Sequence, residues 1–178
     1  APVRQELRVR TVFNLLGPLT NPADADAQMM GVFDPVHVEP VANVMRGLGV
    51  RHAFVVSGLD GLDEISLSGP SRVAELKHGK VVVFEVSPED YGFARADRAF
   101  LHGGDPAENA AILRAILSGE RGPRRDAVVL NTAPGLVAAG IAEDIPGGIL
   151  LAAESLDSGA ALAKLEALIR FTNDGRWR

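Results

Sequence analysis

Cysteine is absent from these 178 residues, which excludes disulfides and thiolate metal sites and leads to the expectation of a reducing, cytoplasmic setting. Positive charge is the minority sign. The 18 Lys and Arg stand against 23 Asp and Glu, and a net charge of −5 with no basic cluster argues against nucleic acid or an anionic membrane as the main partner. No apolar run approaches the ~18 residues that a transmembrane helix needs. The opening Ala1-Pro2-Val3-Arg4-Gln5-Glu6 also lacks the charged-then-apolar pattern of a signal peptide. Internal repeats and low-complexity tracts do not occur. His37, His52, His78 and His102 are scattered without metal-ligand spacing, and no serine stands in a Gly-x-Ser-x-Gly setting, so no nucleophilic triad is legible. With 47% hydrophobic and 23% charged residues, the composition is that of a soluble protein with enough apolar mass for one sizeable core.

What is present concentrates in two segments. Arg10 to Pro22 (Arg-Thr-Val-Phe-Asn-Leu-Leu-Gly-Pro-Leu-Thr-Asn-Pro) is apolar and rich in turn residues, with Asn14 and Asn21 as its amides. Breakers at Gly17-Pro18 and Asn21-Pro22 predict short helical turns and loops, whose apolar residues must dock on another layer. Gly58 to Glu64 (Gly-Leu-Asp-Gly-Leu-Asp-Glu) places two adjacent carboxylates, Asp63 and Glu64, in a glycine-rich loop after a strand-like run. Such a loop can present both side chains to a hard cation, because Mg2+ takes one or two protein carboxylates together with phosphate oxygens and water. The other reading of the pair is a plain polar loop.

Between and beyond these segments the pattern is α/β, then helical. Met29 to Phe33 has strand length. Val38, Val41, Val44, Met45 and Leu48 recur at helical spacing up to Gly49, and His52 to Ser57 reads as a buried strand. Strand, helix, strand with short connections predicts a βαβ unit with a parallel pair. Period-two patterns at Glu64–Ser68, Arg72–Leu76 and Val81–Val86 predict further strands, with a hairpin turn at His78-Gly79-Lys80. Asp105-Pro106 reads as the cap and first residue of a helix running to Ser118-Gly119. Helices are also expected over 124–139, 149–156 and 160–171.

The two opening segments, together with Asp90-Tyr91-Gly92-Phe93, the run Gly103 to Ala110 (Gly-Gly-Asp-Pro-Ala-Glu-Asn-Ala) and the run Val128 to Ala133 (Val-Val-Leu-Asn-Thr-Ala), resemble signatures of the anthranilate phosphoribosyltransferase family in the family's order. The resemblance covers nearly the whole chain, and several long motifs in sequence are a specific signal. It implies an α/β fold, a parallel or mixed sheet flanked by helices, of the phosphoribosyltransferase and nucleoside phosphorylase kind. A remnant of a small helical domain is expected at residues 1–24, and the C-terminal part of the α/β domain at 25–178. The implied reaction joins anthranilate to phosphoribosyl pyrophosphate (PRPP) in tryptophan biosynthesis, with a homodimer when full length.

Carried onto this sequence, the resemblance gives Arg4 the grip on the anthranilate carboxylate, a task suited to a planar guanidinium. Read alone, Arg4 is a solvated arginine. Pro18 takes the position lining the anthranilate pocket, and Asp63 and Glu64 take the Mg2+ position. Asn14 and Asn21 are expected to tie down turns, and Asn109 and Asn131 to be satisfied in packing. Ser57-Gly58 departs from the His-Gly that often precedes the family's acidic pair. The family's Gly-Thr-Gly-Gly-Asp phosphate loop and Lys-His-Gly-Asn-Arg segment do not occur in these residues; the resemblance places them upstream. That predicts a C-terminal portion, its N-terminal half absent, with weak PRPP binding and negligible turnover of its own. Gly103-Gly104 before a helix is the minor alternative anion site. Two rival functions remain: a pyrimidine nucleoside phosphorylase, whose proline-rich run is related, and a nucleic-acid-binding relative without transferase activity, against which the acidic balance counts.

Overall fold

The computed structural model describes residues 13–174. Arg4 and Trp177 lie outside the described residues. Helix α1 (Phe13–Leu19) runs through Gly17 and Pro18 instead of breaking there. A proline ring clashes with the Cβ of the residue before it when that residue is helical, and Gly17 has none. The helix is so short that Pro18 forfeits a single intrahelical bond. Asn21 then closes a turn, its Oδ1 accepting from Ala23 N–H at 2.9 Å, as expected of it.

Strand β1 (Ala27–Gly31), helix α2 (Val38–Gly47) and strand β2 (His52–Gly58) form the expected unit, with β1 and β2 parallel and Ala27 opposite His52. Helix α2 buries Val38, Val41, Ala42 and Met45, one stripe at i, i+3, i+4 and i+7. Val44 and Leu48, expected on that stripe, are exposed, because they fall to one side of it around the helix. Strands β3 (Ser71–Lys77) and β4 (Lys80–Val86) follow antiparallel, giving a mixed sheet in the order β1-β2-β3-β4. Their hairpin turns at His78 and Gly79, both at positive φ (51° and 72°).

Both faces of the sheet are covered, which is why every residue of β2 is buried. On one face Met30, Ala53, Val55, Ala74 and Leu76 pack against α2. On the other, Phe54, Val56 and Val73 pack against Leu130, Ala133 and Val137 of helix α4 (Pro123–Ala138). Helix α3 (Pro106–Leu117) starts at the predicted Asp105 cap, whose Oδ1 accepts from Ala107 and Glu108 N–H. Helix α5 (Ile145–Asp157) starts four residues before the expected 149. Asp144 caps it through Gly147 N–H at 2.8 Å, and Gly147 and Gly148 conceal that turn in the sequence. Helix α6 (Ala160–Asn173) completes the described chain. No helix among the described residues is long and apolar enough to cross a membrane.

Glu64–Ser68, expected as a strand, is not one. Side chains take the amides that a neighbouring strand would have taken: Ile65 N–H bonds Asn131 Oδ1, Ser66 N–H bonds Ser71 Oγ, and Ser68 N–H bonds Ser66 Oγ. Ile65 and Leu67 are buried against the α4 side of the sheet, but Ser66 between them is buried as well, so the apolar alternation marks no half-exposed strand.

Candidate active site

The parallel pair fixes where a ligand belongs. In open α/β sheets ligands bind outside the carboxyl ends of the strands. Residues 59–70 connect β2 to β3 at that end. Gly31, the last residue of β1, lies directly beneath: a Cβ there would stand 1.6 Å from the Asp63 carbonyl oxygen. Only glycine lets the strand and the acidic loop come so close.

Three acids occupy this loop, and the structure sorts them. Asp60 is committed internally. Its carboxylate accepts from Ser66 Oγ at 2.8 Å, from Ser68 Oγ, and from Leu62 N–H at 3.2 Å. Arg98 donates from Nη1 to the Asp60 carbonyl at 2.6 Å, and its Nε stands 4.0 Å from the carboxylate. Burial pushes the Asp60 carboxyl up, but the Ser68 and Ser66 hydroxyls, the Leu62 amide and the Arg98 charge outweigh it. The group titrates below its ordinary 3.8.

Asp63 and Glu64 are exposed, and neither carboxylate makes a hydrogen bond or ion pair among the described residues. Although Glu64 reaches solvent, partial burial raises its carboxyl above the usual range, and the adjacent Asp63 charge raises it further. Two neighbouring anions with no cation beside them are the donor set that a hard divalent ion relieves. No group of three or more His, Asp or Glu among the described residues could hold a metal alone. Two carboxylates, with the rest of the shell from phosphate and water, match the habit of Mg2+.

Asn131, on α4 and 66 residues further along the chain, grips the residue after the pair. Its Oδ1 accepts from Ile65 N–H at 2.8 Å, and its Nδ2 donates to Ile65 O at 2.9 Å and Ala127 O at 3.0 Å. The packing role expected of it therefore lies at the site itself. Asn109 does the same for the Gly103-Gly104 turn, bonding Gly104 N–H at 2.9 Å and its carbonyl at 3.0 Å. Asp105 N–H is bonded to Glu108 Oε2, and Ala107 and Glu108 N–H to Asp105, so the amides at the head of this helix are already occupied within the chain.

Pro18 sits elsewhere. Its carbonyl accepts from Gln28 Nε2 at 3.2 Å, near the start of β1. It lines a cavity of about 410 Å³ with Asn21, Asp24, Asp26, Gln28 and Val50, a cavity that includes neither Asp63 nor Glu64. From Gln28 to Gly31 is roughly 10 Å of strand, so the described residues do not bring Pro18 and the acidic pair together. Ser57 is fully buried, its hydroxyl without a partner. His52 pairs with Glu75 at 2.9 Å, and His37 packs edge-on against Phe33, both away from the pair.

Residues 1–162 match the family described as the glycosyl transferase family, a/b domain. The chain belongs to this family. Among similar members of the glycosyl transferase family is the anthranilate phosphoribosyltransferase of Symbiobacterium thermophilum, 53% identical over 97% of this chain and 51% of that protein. The one from Geobacter sulfurreducens is 54% identical over 96% and 49%. The solved anthranilate phosphoribosyltransferase of Thermus thermophilus superposes with a TM-score of 0.87 at 48% identity, over 96% of this chain and 50% of the other. The Saccharomyces cerevisiae enzyme, solved in complex with PRPP and Mg, gives 0.81 at 30% identity, over 93% and 48%. The chain thus spans about half the length of these relatives, and its fold is that of their α/β domain, a mixed sheet flanked by helices.

Proposed function

We propose that this protein is an anthranilate phosphoribosyltransferase, transferring the phosphoribosyl group of PRPP to anthranilate and releasing pyrophosphate in tryptophan biosynthesis. The observation that carries the reading is a pair of carboxylates unpartnered among the described residues, on the loop at the carboxyl end of a parallel strand pair, where the neighbouring Asp60 is fully engaged. The names of the relatives support it, as does the yeast complex with PRPP and Mg.

Asp63 and Glu64 would hold Mg2+, which when bound supplies charge neutralisation and orientation for a leaving pyrophosphate. Arg98 and Asp60 would keep that loop rigid while the ligand binds. Arg4 and Pro18 are assigned to the acceptor on resemblance alone, Arg4 to the carboxylate of anthranilate and Pro18 to its ring. Their contribution would be positioning. No general base is needed on this account, because an aniline-type nitrogen carries its lone pair unprotonated at neutral pH. The same reading makes residues 1–24 part of a helical domain and 25–178 part of the α/β domain, and gives a cytoplasmic homodimer with no nucleic-acid or membrane partner.

The test is the fluorescence of anthranilate in the full-length protein with PRPP and Mg2+, beside a parallel assay of thymidine with phosphate. Anthranilate consumption should depend on Mg2+, and Asp63→Asn with Glu64→Gln should lower it by orders of magnitude. Thymidine cleavage without anthranilate turnover would replace the reading by a nucleoside phosphorylase. Unchanged Mg2+ dependence in the double variant would remove the cation from this loop.

A further inference from the structure

We infer that Asn131 is a positioning residue for the acidic pair, fixing the place of the Glu64 Cα by clamping the residue that follows it. The inference rests on the Mg2+ reading of Asp63 and Glu64 and adds to it a residue far away in sequence.

The geometry is specific. The Ile65 N–H belongs to the peptide plane that Glu64 begins, and the Ile65 C=O belongs to the next plane. Asn131 bonds both, at 2.8 and 2.9 Å, as a paired strand would. Holding two successive planes fixes φ and ψ of Ile65 and, because the Glu64 Cα lies in the first of those planes, the point from which the Glu64 side chain departs. Residues 64–68 have no strand beside them, so this side-chain amide replaces the missing ladder partner. The other flank is held by Asp60 through Ser66 and Ser68.

The anchor itself is stiff. Asn131 Nδ2 also bonds Ala127 O one helical turn back, at 3.0 Å. Its neighbours Leu130 and Ala133 are fully buried against the sheet. Helix α4 thus ties the acidic loop to the core that β1 and β2 build. Ligands of a metal are useful only when held to within roughly half an ångström, by residues whose own rotamers are locked. The carboxylates are solvent-facing and self-repelling, so nothing in their own contacts would hold them so.

The experiment compares Asn131→Ala and Asn131→Asp with Asp63→Asn/Glu64→Gln in the full-length protein. The aspartate keeps the shape and one acceptor while aiming a second oxygen at two carbonyls, so it reports if the alanine variant fails to fold. Two quantities are read: the Mg2+ concentration for half-maximal turnover, and binding of Mn2+ as a paramagnetic stand-in, with PRPP, from the loss of the free-ion resonance. Loss of a group that orients a metal ligand typically weakens metal affinity about 10-fold to 100-fold. Both Asn131 variants should therefore raise the Mg2+ requirement and the Mn2+ dissociation constant by about tenfold, with a smaller change in KM for anthranilate at saturating Mg2+. Unchanged metal constants, or equal shifts in metal and anthranilate constants, would overturn the inference while leaving the function intact if the acid double variant still loses its Mg2+ response. A double variant with normal metal binding would overturn the inference together with the Mg2+ reading of Asp63 and Glu64.

Discussion

At the scale of single residues, the structure separates acids that the sequence shows as equals. Asp60, Asp63 and Glu64 stand within five positions, yet only Asp60 is bonded on every side. Its carboxyl titrates below its ordinary 3.8, so the folded protein holds its proton more weakly than the unfolded chain does. The stability it contributes is full above that value and is lost as pH falls through the lower folded value. Asp60→Asn removes the charge and puts an amide nitrogen either where both hydroxyls or where the Leu62 N–H had an acceptor; chemical denaturation should show a loss of about 1–2 kcal/mol at neutral pH, shrinking in strong acid. Ser57 presents the opposite case. A buried hydroxyl without a partner carries a desolvation penalty, so Ser57→Ala should leave stability unchanged or raise it by up to about 1 kcal/mol. A loss above that in a urea titration would mean that the hydroxyl is bonded in solution.

Among the elements, α4 and α5 meet at Gly148, where a Cβ would lie 2.7 Å from the Ala133 carbonyl and 3.0 Å from its Cβ. Glycine to alanine inside a helix ordinarily stabilises by about 1 kcal/mol. Here the nearest atom is backbone and cannot swing aside, so Gly148→Ala should instead lower the melting temperature, at a cost of about 1–3 kcal/mol. The same glycines hid the start of α5 from the sequence, since Gly147 and Gly148 read as a break. Elements whose signal is local were legible: the α2 stripe, the βαβ unit, the His78-Gly79 turn and the Asp105 cap. Glu64–Ser68 was misread because its amide partners include Asn131, which no window of a dozen residues contains. For the same reason the acidic pair was visible as a pair while what holds it was not. A carboxylate run announces its chemistry, whereas a helix asparagine looks like any other polar residue until the fold brings Ile65 to it.

For the molecule as a whole, the proposed site and the sources of stability lie in different places. The two core layers lie on the faces of the sheet, and the acidic pair stands outside both. Removing its charges should therefore leave the melting curve of the Asp63→Asn/Glu64→Gln variant within about 0.5 kcal/mol of the parent, even as its Mg2+ response disappears. A large fall in stability would show the carboxylates to be structural. Strand β1 joins these two regions. It lies at the margin of the sheet, paired only to β2 among the described residues, and its last residue rests against the Asp63 backbone. Whatever docks along the outer rim of that strand is mechanically linked to the acidic loop through one glycine. A methyl group at position 31 would push the loop outward, as a wedge does, and displace the two carboxylates while the hydrophobic interior stayed whole.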